Sequence, residues 1–321
     1  MNSQNLSTVP HLITANSHPI EEIERHILAR QDEIELWFRQ QFNRSPAPFY
    51  ASVDLRNAGF KLAPVDTNLF PAGFNNLNPA SKPLCIQAIQ ITLERFCPEA
   101  RGIMIVPESH TRNLFYLENV ATIQEYISLA GYRCALGTLR EDITAPTVVS
   151  LPSGREIILY PIVRDGDQIS IGDFIPCAIV LNNDLSGGRP KILEKISQTL
   201  IPPLDLGWTN RFKSDHFQIY DDVANSFAEL IKIDPWLINP LFTNCGAIDF
   251  MKREGEDCLA KNTESLLKRI QLKYDEYGIT DKPYVVIKAD QGTYGMGIMV
   301  VSSAEELRKL NRKQRTKMST I

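Results

Sequence analysis

The hydrophobic residues of this chain follow two different spacings, and each spacing predicts a different element. Apolar residues that recur every three or four positions are typical of amphipathic helices. The helices predicted in this way cover residues 20–42, 81–96, 113–130, 214–231 and 256–277, with a last helix after Ser303. Short continuous apolar runs, typical of buried strands, predict strands at 102–106, 133–136, 178–181, 284–288 and 298–301, and an edge hairpin over 145–163. Strands that alternate with helices favour an α/β fold with a largely parallel sheet.

One long segment, residues 50–79, follows neither spacing and is rich in Asp, Asn, Arg and Lys. Long irregular segments in compact domains are often binding loops. Asp54 and Asp66 can hold an ammonium group, and Arg56 can hold a carboxylate through two hydrogen bonds. An amino-acid substrate carries both groups, so we expect this segment to bind one. The alternative is a surface loop closed by its own Asx turns.

Polar residues also follow two of the predicted strands directly. Glu108, His110 and Arg112 come just after the first buried strand, and Asn183 and Asp184 come just after the third. Ligands of open α/β sheets bind beyond the carboxyl ends of the strands, so these residues are candidates for substrate binding. The alternatives are a hydrogen-bonded loop histidine and ordinary turns or helix caps.

A glycine-rich turn separates the last two predicted strands. Lys288 ends the first of them, and Gly292, Gly295 and Gly297 follow it. Glycines let backbone N–H groups converge on an anion, and a lysine adds a positive charge. The turn lacks the GxxxxGK[ST] motif of a P-loop, and a strand follows it where a P-loop has a helix. We therefore predict a phosphate-binding loop, with a plain hairpin loop as the alternative.

Composition narrows the classes of function. The 321 residues, of which 43% are hydrophobic and 22% charged, suit an ordinary globular protein of about two domains. A net charge of −4 gives no basic field for nucleic acid, and no apolar run is long enough to span a membrane. The six cysteines are scattered without metal-ligand spacing, which is typical of a reducing compartment. We expect a cytoplasmic protein that binds neither nucleic acid nor membrane, and its oligomeric state stays open.

Five blocks of sequence carry a resemblance to a known family. In chain order they are SVDLRNAGFKLAPVDTNLFPAGFNNLNP, IMIVPESHTRN, CAIVLNNDLSGG, DPWLINP and VIKADQGTYGMGIMVV. Together they resemble the proteobacterial glutamate–cysteine ligase family, over about residues 10–321. The resemblance implies an ATP-grasp architecture like that of glutathione synthetase. It also implies that ATP and Mg²⁺ are used to join the glutamate γ-carboxylate to the cysteine amine through γ-glutamyl phosphate, the first step of glutathione biosynthesis.

The resemblance extends to individual positions. Arg56 and Lys61 lie in the first block and are our catalytic candidates. The substrate-binding candidates are Asp54, Asp66, Asn68, Glu108, His110, Arg112, Asn183 and Asp184. The ATP-binding candidates are Lys288, Gly292, Thr293, Tyr294, Gly295 and Gly297, and the magnesium ligands are unassigned. Which candidates contact glutamate and which contact cysteine is left open.

The family pattern predicts two domains. We expect a parallel-sheet substrate-binding domain over residues 15–205, followed over 206–321 by the first part of an ATP-grasp module. Related chains continue after the glycine-rich turn with a lobe that holds adenine and magnesium. We therefore expect that lobe to be absent and this chain to be inactive by itself, with Ile287, Met299 and Val301 in an exposed apolar patch. Two other functions stay open: another ATP-grasp carboxylate–amine ligase, and a non-catalytic amino-acid- or nucleotide-binding protein.

Overall fold

The computed structural model describes residues 18–99, 101–109, 113–291 and 297–319. The helices are α1 His18–Ala29, α2 Gln31–Arg44, α3 Lys82–Phe96, α4 Leu114–Leu129, α5 Lys213–Ile231, α6 Glu256–Glu276, α7 Ala304–Arg308 and α8 Arg312–Met318. The strands are β1 Ser52–Asn57, β2 Leu62–Asn68, β3 Gly102–Pro107, β4 Arg133–Thr138, β5 Thr147–Ser150, β6 Glu156–Pro161, β7 Val163–Asp165, β8 Gln168–Ser170, β9 Ala178–Asn182, β10 Thr199–Ile201, β11 Val285–Ile287 and β12 Met299–Val301. In the described ranges, no helix combines the length and the apolar character that crossing a membrane requires.

The chain divides into two compact units. The described part of the first unit consists of Gln31–Gly59 and Val65–Gly207. The second unit consists of His18–Arg30, Phe60–Pro64 and the described residues from Trp208 onward. The mixed α/β fold class predicted from the sequence is confirmed.

A six-stranded sheet forms the centre of the first unit. Its strand order is β10-β9-β3-β4-β6-β5. All neighbouring strands are parallel except β5, which pairs antiparallel with β6 at the edge. The parallel strands predicted at 102–106, 133–136 and 178–181 are therefore confirmed, and so is the edge hairpin predicted over 145–163.

The central strands are buried on both faces, which is why their sequences read as continuous apolar runs. Successive side chains of β3 point to opposite faces of the sheet. Ile103 and Ile105 belong to one hydrophobic cluster, together with apolar residues of α3 and α4. Met104 and Val106 belong to a second cluster on the other face, which includes Ile169 of β8. Both clusters therefore hold β3 in place.

Gly102, at the start of β3, is a test of this packing. A Cβ added there would lie 2.6 Å from Cε2 of the Phe174 ring. Overpacking of this kind costs about 1–3 kcal/mol, so Gly102→Ala should lower the free energy of unfolding by that amount in urea denaturation. Gly187, which has nothing within 4 Å of an added Cβ, is the matched control. Equal stability of the two alanine variants would contradict the predicted clash.

The single helix predicted over 20–42 is wrong, because the chain forms α1 and α2 with a break at Arg30. The two helices pack in different units. Ile23 of α1 lies in the core of the second unit with Trp236 and Tyr274. Apolar periodicity continues through the break, since each helix still needs one buried face.

The irregular loop predicted over 50–79 is also wrong, because this segment contains β1 and β2, which form a two-stranded sheet. The turn after β1 is an Asx turn, in which Asn57 Oδ1 accepts a hydrogen bond of 2.8 Å from Gly59 N–H. Gly59 has a φ of +85°, a conformation that glycine adopts without strain. Residues 53–57 of β1 are exposed, so no alternation of buried and exposed positions marked the strand.

The second unit contains the short antiparallel pair β11 and β12. The expected exposed patch of Ile287, Met299 and Val301 is wrong, because Val301 is only 2% exposed and the other two pack against the same hydrophobic cluster. Helices α6 and α7 contact this side of the pair. Side chains alternate along a strand, so the exposed apolar residues are instead Val286 and Val300.

Candidate active site at the carboxyl ends of the central strands

The order of the strands reverses between β3 and β9. From β3 the chain runs to β4 and then β6 on one side, whereas β9 pairs with the other side of β3. Ligands of open α/β sheets bind in the crevice at such a reversal, beyond the carboxyl ends of the strands. Glu108 directly follows β3, and Asn183 and Asp184 directly follow β9. Three of the predicted substrate-binding residues therefore lie at this position.

Asn182, the last residue of β9, is the centre of a buried polar network beneath these residues. It is 1% exposed. Its Nδ2 donates to the Tyr50 hydroxyl at 3.1 Å and to the Pro71 carbonyl at 2.9 Å. Its Oδ1 accepts from Asn119 Nδ2 at 3.2 Å and from the Tyr116 hydroxyl at 2.9 Å. All of its hydrogen-bonding capacity is used inside the protein, so Asn182 fixes the end of the strand.

Two tyrosines complete the network. The Tyr50 hydroxyl donates to the main-chain oxygen of Leu181. The single proton of the Tyr116 hydroxyl is shared between the main-chain oxygen of Asn182, at 2.6 Å, and its Oδ1. The same hydroxyl accepts from Glu108 N–H at 2.9 Å. Burial keeps the pKa of Tyr116 well above its usual value, so the hydroxyl stays protonated. Tyr116 thus connects the ends of β3 and β9.

The Glu108 side chain is half-buried next to Asp184. Its Oε1 accepts a hydrogen bond of 2.7 Å from Asp184 N–H. Burial, and secondarily the negative charge of Asp184, raise the pKa of Glu108 to about 7, although the hydrogen bond from Asp184 N–H opposes this. Asp184 is itself only 7% exposed, so two carboxyl groups lie close together in a largely dry environment.

Asn183 and Asp184 also shape the turn after β9, which agrees with the turn-forming role that was the alternative to substrate binding. Asn183 Nδ2 donates to the Pro107 carbonyl at 3.3 Å, and its Oδ1 accepts from Leu185 N–H at 3.0 Å. Asp184 Oδ1 accepts from Ser186 N–H at 2.9 Å. These contacts order the turn, and a role in substrate binding stays a prediction.

The remaining polar candidates of the first unit lie elsewhere or cannot be placed. Asp54 and Arg56 are exposed at alternate positions of β1, so they share one face of that strand. Asp66 and Asn68 lie on β2, where Asp66 Oδ1 accepts from Thr67 N–H at 3.0 Å and Asn68 forms hydrogen bonds with the main chain of Phe70. His110 and Arg112 lie outside the described residues.

Lys61 belongs to the second unit, where it contacts an aromatic cluster. Its Nζ lies 4.5 Å from the ring centroid of Trp236, and Phe60 stacks on the same indole at 6.0 Å. Burial lowers the pKa of Lys61 to about 7, and the negative charge of Asp234 opposes this shift. The lysine is therefore far easier to deprotonate than an exposed one.

The start of the glycine-rich turn is anchored to the N-terminus of α5. Asp290 Oδ1 accepts from Ser214 N–H at 2.7 Å, and Asp290 Oδ2 accepts from Ser214 Oγ at 2.6 Å. The Asp290 carbonyl accepts from Lys213 N–H at 2.9 Å. An acidic side chain at the first turn of a helix is favourable because N–H groups there have no partner within the helix. Asp290 therefore has a structural role at this end of the turn.

Of the ATP-binding candidates, the structure describes only the two that flank the turn. Lys288 comes just after β11 and is half-buried. Gly297 comes before β12 with a φ of +62°, a left-handed conformation that favours glycine. Gly292, Thr293, Tyr294 and Gly295 lie outside the described residues. A cation and a flexible glycine at the two ends of the turn suit a polyphosphate.

Two further cations lie near the start of the turn and were not among the predicted site residues. Arg211 and Lys213 approach the ring of Trp208, at 5.3 Å and 4.8 Å from its centroid. For magnesium, the described residues contain no group of three or more His, Cys, Asp or Glu side chains close enough to hold a metal ion.

Comparison with known proteins identifies relatives of the whole chain. The family model for glutamate–cysteine ligase matches residues 24–321. A crystal structure from Methylobacillus flagellatus KT, of a protein provisionally named gamma-glutamylcysteine synthetase, is similar at a TM-score of 0.91 and 54% sequence identity. The match covers 98% of this chain and 74% of that chain. No curated protein matches this chain.

Proposed function

This chain belongs to the glutamate–cysteine ligase family, and from that premise we propose that the full-length protein joins glutamate to cysteine at the expense of ATP. The family resemblance seen in the sequence is confirmed. The observation that carries the proposal is that the family match spans both units of the chain, including the crevice between the ends of β3 and β9. The product is γ-glutamylcysteine, the first intermediate of glutathione biosynthesis.

The proposed reaction has two steps. The glutamate γ-carboxylate attacks the γ-phosphorus of ATP, which gives γ-glutamyl phosphate and ADP. The cysteine amine then attacks the activated carbonyl and releases phosphate. Neither step needs a covalent bond to the protein, so catalysis consists of holding the reactants in position and neutralising charge.

We propose the domain organisation that the sequence predicts: a substrate-binding domain over 15–205 and the first part of an ATP-grasp module over 206–321. Lys288 and the glycine-rich turn would contact the phosphates of ATP, and the anchoring of Asp290 to Ser214 supports this by fixing one end of the turn. Magnesium would neutralise phosphate charge when it is bound. The cytoplasmic location stays a prediction.

A single assay tests the proposed function. The full-length protein is incubated with ATP, Mg²⁺, glutamate and cysteine, phosphate release is followed, and the product is identified by mass spectrometry. We expect phosphate release that requires both amino acids. Release with glutamate and unrelated amines would point to a different carboxylate–amine ligase, and binding of ATP without turnover would point to a binding protein.

Arg56 is expected to bind a substrate carboxylate, most simply that of glutamate. A hydrogen bond to a charged group contributes about 1.5–3 kcal/mol, so Arg56→Ala should raise the KM for glutamate about 10- to 100-fold and leave the KM for ATP nearly unchanged. Arg39, an exposed arginine of α2, provides the control substitution Arg39→Ala. A rise in the KM for ATP alone would show that Arg56 acts at the nucleotide and not at glutamate.

A further inference from the structure

We propose that Glu108 accepts the proton that the attacking amine must lose, and that Tyr116 positions Glu108 for this step. The proposal rests on the proposed function and assigns a specific task to one residue of the crevice.

The chemistry of the second step requires such a group. The α-amino group of an amino acid is mostly an ammonium ion at neutral pH, and an ammonium ion has no electron pair with which to attack a carbonyl. One N–H bond must break, so that its electron pair stays on nitrogen and the proton goes to a carboxylate oxygen of Glu108. The nitrogen pair then forms the C–N bond, the bond from the carbonyl carbon to the phosphate oxygen breaks, and phosphate leaves with that pair. The second proton of the nitrogen passes to water.

The position of Glu108 suits this task. Glu108 follows β3 directly and lies where the strand order reverses. Ligands of open α/β sheets bind at this position. Its main chain is fixed by the 2.9 Å hydrogen bond from its N–H to the Tyr116 hydroxyl, and its carboxyl group is fixed by the 2.7 Å hydrogen bond from Asp184 N–H. A catalytic carboxylate needs this kind of support from neighbouring residues to keep its geometry.

The buried network explains why Tyr116 is rigid. Its hydroxyl donates to Asn182, which in turn is held by Asn119, Tyr50 and Pro71. A polar network in which every member has partners fixes one conformation, whereas a partly satisfied network is costly. The Tyr116 hydroxyl therefore links the Glu108 main chain to the end of β9.

The charges around Glu108 tune it for proton transfer near neutral pH. The titratable group that acts on it is Asp184 after β9. Tyr116 on α4 and Tyr50 before β1 lie close enough for the charge of Glu108 to raise their own pKa values. Burial and Asp184 bring the pKa of Glu108 to about 7, so near neutral pH the carboxyl group is partly ionised and is a stronger base than an exposed carboxylate. A general base is most effective when its pKa lies near the operating pH. His110 and Arg112 lie outside the described residues.

Hydroxylamine, used in place of cysteine, tests the deprotonation of the amine separately from the formation of γ-glutamyl phosphate. It is already neutral at pH 7, so it attacks γ-glutamyl phosphate without first losing a proton and gives a hydroxamate. We expect the full-length Glu108→Gln variant to form γ-glutamylcysteine about 10²- to 10⁴-fold more slowly than wild type, the usual range for loss of a general base. The same variant should form the hydroxamate within a few-fold of the wild-type rate. Glu141→Gln, at an exposed position, is the matched control and should change neither rate.

The pH dependence gives a second readout. A carboxyl group acts as a base only when it is ionised, so the rate with cysteine should rise with pH through about 7 in the wild type. In Glu108→Gln this rise should be replaced by one that continues to the higher pKa of the substrate amine, because only amine already free in solution can then react. Tyr116→Phe removes the hydroxyl that holds the Glu108 main chain and that also donates to Asn182. It should lower kcat with cysteine and leave the KM for glutamate and the hydroxamate rate nearly unchanged.

The outcomes distinguish this proposal from the proposed function. Wild-type protein that forms neither product overturns the proposed function and the proposal with it. A Glu108→Gln variant that loses both products, or keeps full activity with cysteine, overturns the proposal alone. If Glu108→Gln does not fold, Glu108→Asp keeps a carboxyl group one methylene shorter. It must then lose more activity with cysteine than with hydroxylamine, and an equal loss overturns the proposal.

Discussion

Replacing Asn182 by alanine should lower the free energy of unfolding of the first unit by about 3–5 kcal/mol, because several buried polar groups lose their partners together. The side chain is 1% exposed and makes four hydrogen bonds. Without it, the Pro71 carbonyl and the amide of Asn119 would lose contacts in a place that has little access to water. Each buried polar group left without a partner costs about 1–3 kcal/mol.

Urea denaturation measures this effect directly. The midpoint should fall while the dependence on urea concentration stays constant, which is the signature of a change in stability alone. The control is Asn225→Ala at an exposed position of α5, where we expect a change of at most about 0.5 kcal/mol. A loss below about 1 kcal/mol for Asn182→Ala would show that the network tolerates the gap and does not fix the end of β9.

Replacing Lys288 by alanine in the full-length protein should raise the KM for ATP about 10- to 100-fold, since a charged contact to phosphate contributes about 1.5–3 kcal/mol. The KM values for glutamate and cysteine should stay nearly unchanged. Lys288→Arg keeps the charge and should recover part of the affinity, although a guanidinium does not reproduce the geometry of an ammonium.

Lys282 provides the matched control for this prediction. It is an exposed lysine shortly before β11, so Lys282→Ala should leave the KM for ATP at the wild-type value. If the KM for ATP is unchanged in Lys288→Ala, Lys288 does not contact the nucleotide and its role is structural.

The central sheet could be predicted because its strands are buried on both faces. A strand such as β3 is buried at every position, so its sequence is a short continuous apolar run, which is typical of a buried strand. The exposed strand β1 has no such constraint, so its sequence was indistinguishable from that of a loop. The break between α1 and α2 was missed for a related reason, since each helix buries a face in its own unit and the apolar spacing continues across Arg30.

The strand-end residues of the site could be predicted, but the network beneath them could not. The position of Glu108 and Asp184 at the edge of the sheet was predictable because both directly follow buried strands, and ligands of such sheets bind at that edge. Their role in binding stays a prediction. Tyr50 and Asn182 are 132 positions apart in sequence, and only the folded chain brings them together. One signal was present: Asn119 is 1% exposed in the middle of a largely buried helix, and a buried amide needs a partner.

The polar network below the crevice also bears on how substrate preference can change in this family. Tyr50, Tyr116, Asn119 and Asn182 are bonded to one another and to the main chain, so a change in one of them leaves the others without partners. They can be expected to vary together or not at all. Libraries that aim to change substrate preference should therefore keep these four residues, so that the ends of the central strands stay in place.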